Sequence, residues 1–202
     1  GDETLEVTLK DAFTGLVVVL RYVVFADIDI IVRNSRIVNE TGKPLYITRA
    51  LSASLDLCEG KYDMISLYGG HCYERQICRE PLRHGTQSVG SRRGTSSHFH
   101  NPFIALASPE TTETAGEVYG AALIYSGNFI AQADVNYQDA IRLQIGIHPA
   151  DFRWKLKDGD SFVTPEAVLT YSATGLNTMS QNFHNAIKYH LGHTKFRNAP
   201  RP

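Results

Sequence analysis

The sequence predicts an all-β fold, a large two-sheet antiparallel sandwich with a single helix at its C-terminal end. Three observations carry that prediction. More than ten segments rich in Val, Ile, Tyr and Phe follow one another along the chain. They are separated by turn chemistry rather than by helices, and such strings of strands bury best as two packed antiparallel sheets. Helical spacing of apolar residues occurs once, near the end, at Met179, Phe183, Ala186, Ile187 and Leu191.

The elements justify themselves in order. Leu5, Val7 and Leu9 alternate with Glu6, Thr8 and Lys10, the pattern of a half-buried strand. Leu16–Phe25 and Ile28–Val38 are β-branched and aromatic, with Asp27 between them as a turn. Asn39-Glu40-Thr41-Gly42-Lys43-Pro44 is a strong turn and introduces one long strand from Leu45 to Leu57. Lys61–Leu67 and Cys72–Cys78 flank Gly69-Gly70 as a hairpin. Further strands are expected at Phe103–Ala107, Val118–Tyr125, Phe129–Val135, Ile141–Ile147, Phe152–Leu156 and Ala167–Ser172, with a turn at Lys157–Asp160. The closing helix follows Gly175, takes Asn177 or Thr178 as its cap and stops at Gly192. Both ends read as cut from a longer chain, with a polar tail from Phe196 to Pro202.

At 202 residues, 43% hydrophobic and 20% charged, the chain is ordinary globular protein, one large domain or two small ones. Twenty Lys+Arg against 21 Asp+Glu leave a net charge of −1, which argues against a nucleic-acid partner bound through its phosphates. No apolar run reaches the roughly 18 residues of a membrane span; the best, Leu16 to Ala26, is cut by Arg21. No secretory signal is visible either, since Gly1-Asp2-Glu3 leads directly into the alternating strand pattern. Three cysteines, Cys58, Cys72 and Cys78, lack CxxC spacing and favour a reducing, cytoplasmic setting with all three as small buried hydrophobes. Cys72 and Cys78 on one strand would stand too far apart to bridge.

Candidate chemistry concentrates at Gln87–Phe103, a long stretch in which, from Gln87 through His98, only Val89 is substantially apolar. It reads as a loop with hydroxyls, guanidiniums, imidazoles and an amide suited to a polyhydroxylated ligand, or as a solvated loop tied down by its own Ser and Thr side chains. His98 and His100 on one side of a strand lack a third ligand, so no metal is expected. Ser96 and Ser97 beside His98 have no elbow or acidic partner for a triad. Asp56, Asp63, Asp134, Asp151 and Glu166 show no facing pair of the kind glycoside hydrolysis needs. Trp154 is either a sugar platform or, as a lone Trp among strands more often is, a core residue.

Arg92-Arg93-Gly94-Thr95-Ser96-Ser97-His98-Phe99-His100-Asn101-Pro102-Phe103 resembles the signature of α-galactosidases of glycoside hydrolase family 36. Leu51–Leu57, Glu74-Arg75-Gln76, Gly116–Gly120, Tyr125–Phe129, Pro149–Trp154, Thr164–Val168 and Gly175–Ser180 are similar to that family too, in the family's order. The resemblance covers essentially the whole chain and implies an antiparallel β-supersandwich over residues 1–175. Residues 176–202 would be a connector helix and tail leading to a (β/α)8 catalytic barrel absent from the chain. The implied activity is that of a retaining glycosidase releasing terminal α-linked galactose from oligosaccharides such as raffinose or melibiose. It would proceed by double displacement between two Asp residues of the barrel, without cofactor or metal. No catalytic residue is therefore carried here. Asn101, and beside it His100, are expected to line the galactose pocket; Phe99 departs from the family's usual polar residue. Expected partners are galactoside oligosaccharides through the full-length enzyme, its own barrel, and further copies of itself. Two alternatives stand beside this reading: an autonomous carbohydrate-binding module and a purely structural interaction domain.

Overall fold

The structure is a computed structural model and describes residues 3–58 and 60–192. Gly1 and the polar tail from Phe196 to Pro202 lie outside the described residues. The chain runs through fifteen described strands: β1 (Glu3–Lys10), β2 (Leu16–Phe25), β3 (Ile30–Asn39), β4 (Leu45–Ile47), β5 (Leu51–Leu57), β6 (Asp63–Gly70), β7 (Tyr73–Pro81), β8 (Gly85–Ser91), β9 (Phe103–Ala107), β10 (Val118–Ile124), β11 (Phe129–Val135), β12 (Ile141–Ile147), β13 (Trp154–Leu156), β14 (Ser161–Val163) and β15 (Glu166–Ser172). Helix α1 (Leu176–Asn185) follows and widens into a π turn over Ala186–Leu191.

A nine-stranded sheet runs β1-β2-β3-β15-β10-β9-β6-β7, with β14 added alongside β3. A four-stranded sheet runs β5-β12-β11-β8, and β13 pairs with β4 as a small ribbon. Every pairing among the described strands is antiparallel. The fold is the expected all-β sandwich with one terminal helix.

β9 shows why the large sheet sits at the centre. Ile104 and Leu106 face the four-stranded sheet, in one cluster with Phe129, Ile141, Leu143 and Ile145. Ala105 and Ala107 face the other way, under α1, with Val118, Met179 and Phe183. A strand covered on both faces reads as a continuous apolar run, as Phe103-Ile104-Ala105-Leu106-Ala107 does.

Several expectations are corrected. The single strand over Leu45–Leu57 is two, because the chain changes sheets: Ile47 and Ala50 both stay buried in a third small cluster, which breaks the two-residue alternation. β3 starts two residues late, after a 3-10 turn over Ala26–Ile28 and Asp29 at φ 51°. β1 is exposed along its whole length rather than half-buried, since no described element covers its apolar side. Cys72 sits in the β6–β7 turn at φ 61°, not on the strand, and it is exposed, as is Cys58; all three thiols are unbridged. Trp154 is 50% exposed at the start of β13, its ring 5.4 Å from that of Phe162, while Leu156 is the buried residue of that strand at 1%.

The helix cap is also different. Neither Asn177 nor Thr178 caps α1. Gly175 occupies the cap position at φ 91°, and the Leu176 and Asn177 N–H groups donate to the Thr112 and Glu113 carbonyls at 3.0 Å. A Cβ at Gly175 would come within 2.6 Å of the Thr112 carbonyl oxygen, so glycine is required both by conformation and by space. The helix does end at Gly192, whose N–H donates to the Ile187 carbonyl at 2.7 Å.

At one end of the sandwich Tyr119 lies edge-on to Tyr62 and beside Tyr171, with ring centroids 6.0 and 4.9 Å away. Burial, followed by the Glu117 carboxylate beside it, pushes the Tyr119 hydroxyl far above the ordinary tyrosine range; Tyr62 is raised by the same two causes. A raised folded-state value stabilises fully below the unfolded value of about 10 and loses that contribution as pH rises beyond it. Denaturant midpoints should therefore fall from about pH 10 upward, and more shallowly in Tyr119→Phe. Parallel slopes in the two proteins would refute this.

Candidate functional site

β8 is the edge of the four-stranded sheet and pairs with β11 from Gly85↔Val135 to Ser91↔Phe129. The expected loop over Gln87–Phe103 is therefore shorter, Arg92–Pro102, because Gln87–Ser91 belong to β8. Of those five residues only Val89 contributes an apolar side chain to the sandwich core. An edge strand with one such residue carries almost no periodic signal.

The loop is pinned on two sides. Toward β6, the Asn101 N–H donates to the Leu67 carbonyl (3.1 Å) and the Gly69 N–H to the Phe99 carbonyl (3.2 Å). Toward the β10–β11 turn, the Gly94 N–H donates to Asn128 Oδ1 (2.6 Å) and the Ser96 N–H to the Ser126 carbonyl (2.8 Å). Within it, Ser91 Oγ donates to the Thr95 carbonyl at 2.6 Å. The Arg93 guanidinium lies 4.0 Å from the Phe99 ring centroid, and His98 stacks on the same ring at 5.1 Å.

Between this loop, the end of β6 and the outer face of β8 lies an open cleft of about 530 Å³. His100 lines it, with Ser88, Arg92, Ser97, Phe99 and His148. Gly90 forms part of its wall, and a Cβ there would come within 2.5 Å of the Phe129 carbonyl. Asn101, adjacent to His100, is not part of the lining. His98 and His100 are not ranged along a strand: Ser97 faces His100 across a tight turn. No group of three or more possible metal ligands exists among the described residues.

Four buried side-chain polar atoms lack a hydrogen-bond partner among the described residues, and two of them are the neighbours His100 Nδ1 and Asn101 Oδ1. A buried polar atom without a partner is costly, and here two such atoms sit on adjacent residues of one loop.

His148 is a cleft residue that the sequence reading missed. Its Nδ1 accepts the Ala150 N–H at 3.1 Å, so in the neutral ring the proton sits on Nε2. Burial holds its pKa below the ordinary histidine value; Arg92 adds to that and Asp151 opposes it. The signal available was an imidazole directly after the buried run Ile145-Gly146-Ile147 and before Pro149.

The five carboxylates in or beside strands have other work. Asp56 accepts from Arg142 Nε and one terminal nitrogen at 2.7 and 2.9 Å, and that hydrogen-bonded guanidinium lowers its pKa. Asp63 pairs with Arg79 at 2.7 Å, Asp134 accepts from Thr86 at 2.6 Å, and Asp151 pairs with Arg92 at 2.8 Å. Glu166 stands 4.0 Å from Arg21. None of the five is free in the cleft. A second hollow of about 350 Å³ lies between the end of the helix and the large sheet, walled mainly by Phe25, Ile30, Phe183, Ile187 and Leu191.

Comparison with known proteins places this architecture. A family model described as the glycosyl hydrolase family 36 N-terminal domain matches residues 1–157, and one described as melibiase matches residues 161–202. The α-galactosidase AgaA of Geobacillus stearothermophilus is 46% identical over 200 residues, 99% of this chain and 27% of AgaA. The bifunctional α-galactosidase/sucrose kinase AgaSK of Mediterraneibacter gnavus is 42% identical over 200 residues, 99% of this chain and 21% of AgaSK. A crystal structure of substituted AgaA in complex with raffinose superposes with a TM-score of 0.97 at 46% identity, over 100% of this chain and 28% of AgaA. The chain thus spans about a quarter of the length of these relatives. By sequence and by fold, it belongs to the N-terminal domain family of glycosyl hydrolase family 36.

Proposed function

We propose that the chain is the non-catalytic N-terminal domain of a retaining α-galactosidase that removes terminal α-linked galactose from oligosaccharides of the raffinose and melibiose type. Its tasks are to wall the active-site mouth with the Arg92–Pro102 loop, to support a (β/α)8 barrel continuing from the helix after residue 175, and to take part in self-association. The observation that carries the first task is the pair of buried, unpartnered polar atoms His100 Nδ1 and Asn101 Oδ1 in a loop pinned to rigid strands, with His100 lining the cleft. The melibiase match over residues 161–202 and the apolar hollow beside the helix end support the second. A reducing compartment fits the unbridged thiols, two of them exposed. No helix among the described residues is long and apolar enough to cross a membrane.

Asn101→Ala in the full-length enzyme is expected to lower kcat/KM by about 5- to 150-fold, the worth of a lost sugar hydrogen bond of about 1–3 kcal/mol. Circular dichroism should stay unchanged. Unaltered kinetics in a folded variant would return Asn101 to shaping its own loop. The isolated chain should neither hydrolyse an aryl α-galactoside nor retain galactose with measurable affinity; affinity without the barrel would favour an autonomous binding module instead.

A further inference from the structure

The start of the Arg92–Pro102 loop is tied to the turn that leaves β12, and one imidazole holds that turn. His148 follows β12 directly, and its backbone N–H donates to the Asn128 carbonyl at 3.0 Å. The Asn128 side chain accepts the Gly94 N–H at 2.6 Å, so the backbones of His148 and of the loop meet on one residue. Beyond His148 the chain reverses at Pro149–Phe152. Two hydrogen bonds among the described residues close this turn. The Ala150 N–H donates to His148 Nδ1 at 3.1 Å, and the Phe152 N–H donates to the Pro149 carbonyl at 3.2 Å. Between the two donors Asp151 sits at φ 64°, a left-handed conformation that a non-glycine residue keeps only where its neighbours are held. Held there, its carboxylate accepts from the Arg92 guanidinium at 2.8 Å. That pair is 60% and 80% exposed, and an ion pair so open contributes little unless one partner is already fixed. The turn supplies the fixing.

The ring also meets the loop side directly. A Cβ on Gly90 would lie 3.5 Å from His148 Cδ2, so the imidazole rests on β8 two residues before the loop begins. In the cleft His148 faces Arg92 and Arg93 from the start of the loop, His100 from its end and Tyr68 from β6. With Asp151 of its own turn, these are the titratable groups around it; β8 and β11 bring only uncharged residues to the lining. Burial and Arg92 favour the neutral ring, and Asp151 opposes them.

We propose that His148 is a positioning residue for the Arg92–Pro102 loop, holding its first residues against the end of the four-stranded sheet through Ala150, Asp151 and Asn128. Protonation of Nδ1 would turn the acceptor into a donor facing the Ala150 N–H and would set a second cation beside Arg92. Both supports would fail together. Because the folded-state value lies below the unfolded value of about 6.5, the contribution is complete above that pH. It is lost as pH falls through the lower folded-state value. Any consequence for activity rests on the loop as the wall of the active-site mouth, proposed above; the positioning itself is read on the chain alone.

Heteronuclear NMR of the 202-residue chain tests it. The His148 ring should titrate below the ordinary histidine value, and the amide signals of Ala150, Asp151 and Gly94 should move along the same curve. At neutral pH, amide exchange at Gly94 should be about 2- to 13-fold faster in His148→Ala, the effect of one net hydrogen bond. His148→Asn offers a side-chain oxygen to the N–H two residues on, as an Asx turn does. It should restore slow exchange and abolish the titration at Gly94. If His148→Ala fails to fold, the unsubstituted chain and His148→Asn decide between them. A Gly94 amide that ignores the His148 titration overturns the proposal, as does unchanged Gly94 exchange in a folded His148→Ala. In the full-length enzyme His148→Ala should raise KM for a galactoside with kcat retained, and His148→Asn should recover it. If Gly94 responds and KM does not, the positioning stands and the mouth reading falls.

Discussion

Arg79→Ala lowers the unfolding free energy by about 2–4 kcal/mol, read as a shift in urea midpoint at unchanged slope. Arg79 is a hub rather than a surface charge. Its Nε donates to Asp63 Oδ2 at 2.7 Å, one terminal nitrogen donates to the Thr111 carbonyl at 2.7 Å, and the other donates to the carbonyls of Ser108 and Pro109 at 3.0 and 2.9 Å. The Asp63 side chain is only 13% exposed, so truncation leaves a mostly buried carboxylate without its counterion. The Arg79 side chain itself keeps 28% of its surface, and that water access sets the expected loss below that of a fully buried pair. The effect also travels. The segment Arg79 clamps continues to Thr112 and Glu113, whose carbonyls receive the first N–H groups of α1. Arg79→Lys should recover little, because an ammonium cannot serve the fork of one carboxylate and three carbonyls. A loss below about 0.5 kcal/mol for Arg79→Ala would mean that the loop holds its shape through the Ser108, Thr111 and Glu117 contacts alone.

Where pattern and burial coincide, the fold is legible in the sequence. β2, β3, β10, β11 and β12 lie within about two residues of their expected bounds because each presents apolar residues to a core on at least one face. The turn at Lys157–Asp160 and the helix stop at Gly192 are equally plain, being matters of local chemistry. What stays hidden depends on the rest of the molecule. β8 and β14 are short or polar strands whose only distinguishing property is the neighbour they pair with, β11 and β3 respectively. β15 inserts between β3 and β10 although the three are distant in sequence, and no local pattern announces that order. The cap of α1 comes from the backbone of residues more than sixty positions earlier, so side-chain preferences at Asn177 and Thr178 point to the wrong device. At the site, resemblance singles out Asn101 and His100, and the structure adds their unpartnered buried atoms. His148 joins the cleft from the far end of β12, a proximity that only the pairing of β12 with β11 and of β11 with β8 creates.

The largest loss is expected for Phe183→Ala, about 3–5 kcal/mol, with part of the 222 nm ellipticity disappearing before the main unfolding transition. Phe183 is 8% exposed and belongs to the cluster that joins α1 to the large sheet. Its ring meets Phe103 edge-on at 5.8 Å and fills the space above Gly120, where a Cβ would lie 2.7 Å from Phe183 Cε2 and 2.9 Å from Met179 Sδ. Gly120 is thus the hole into which the helix fits, and emptying the knob leaves a cavity the rigid sheet cannot close. The polar support beneath is too small to compensate: Asn182 Nδ2 donates to Thr170 Oγ1 at 3.0 Å, and that hydroxyl donates to the Asp29 carbonyl at 2.8 Å. Phe183→Leu should lose under half as much, since it retains most of the volume. In a full-length enzyme the helix would also set where the proposed barrel begins, so Phe183→Ala should lower kcat/KM there although the residue lies outside the cleft. If the urea midpoint of Phe183→Ala stays within about 1 kcal/mol of the parent, Met179 and Asn182 alone hold the helix, and the Phe183–Gly120 fit is not what docks it.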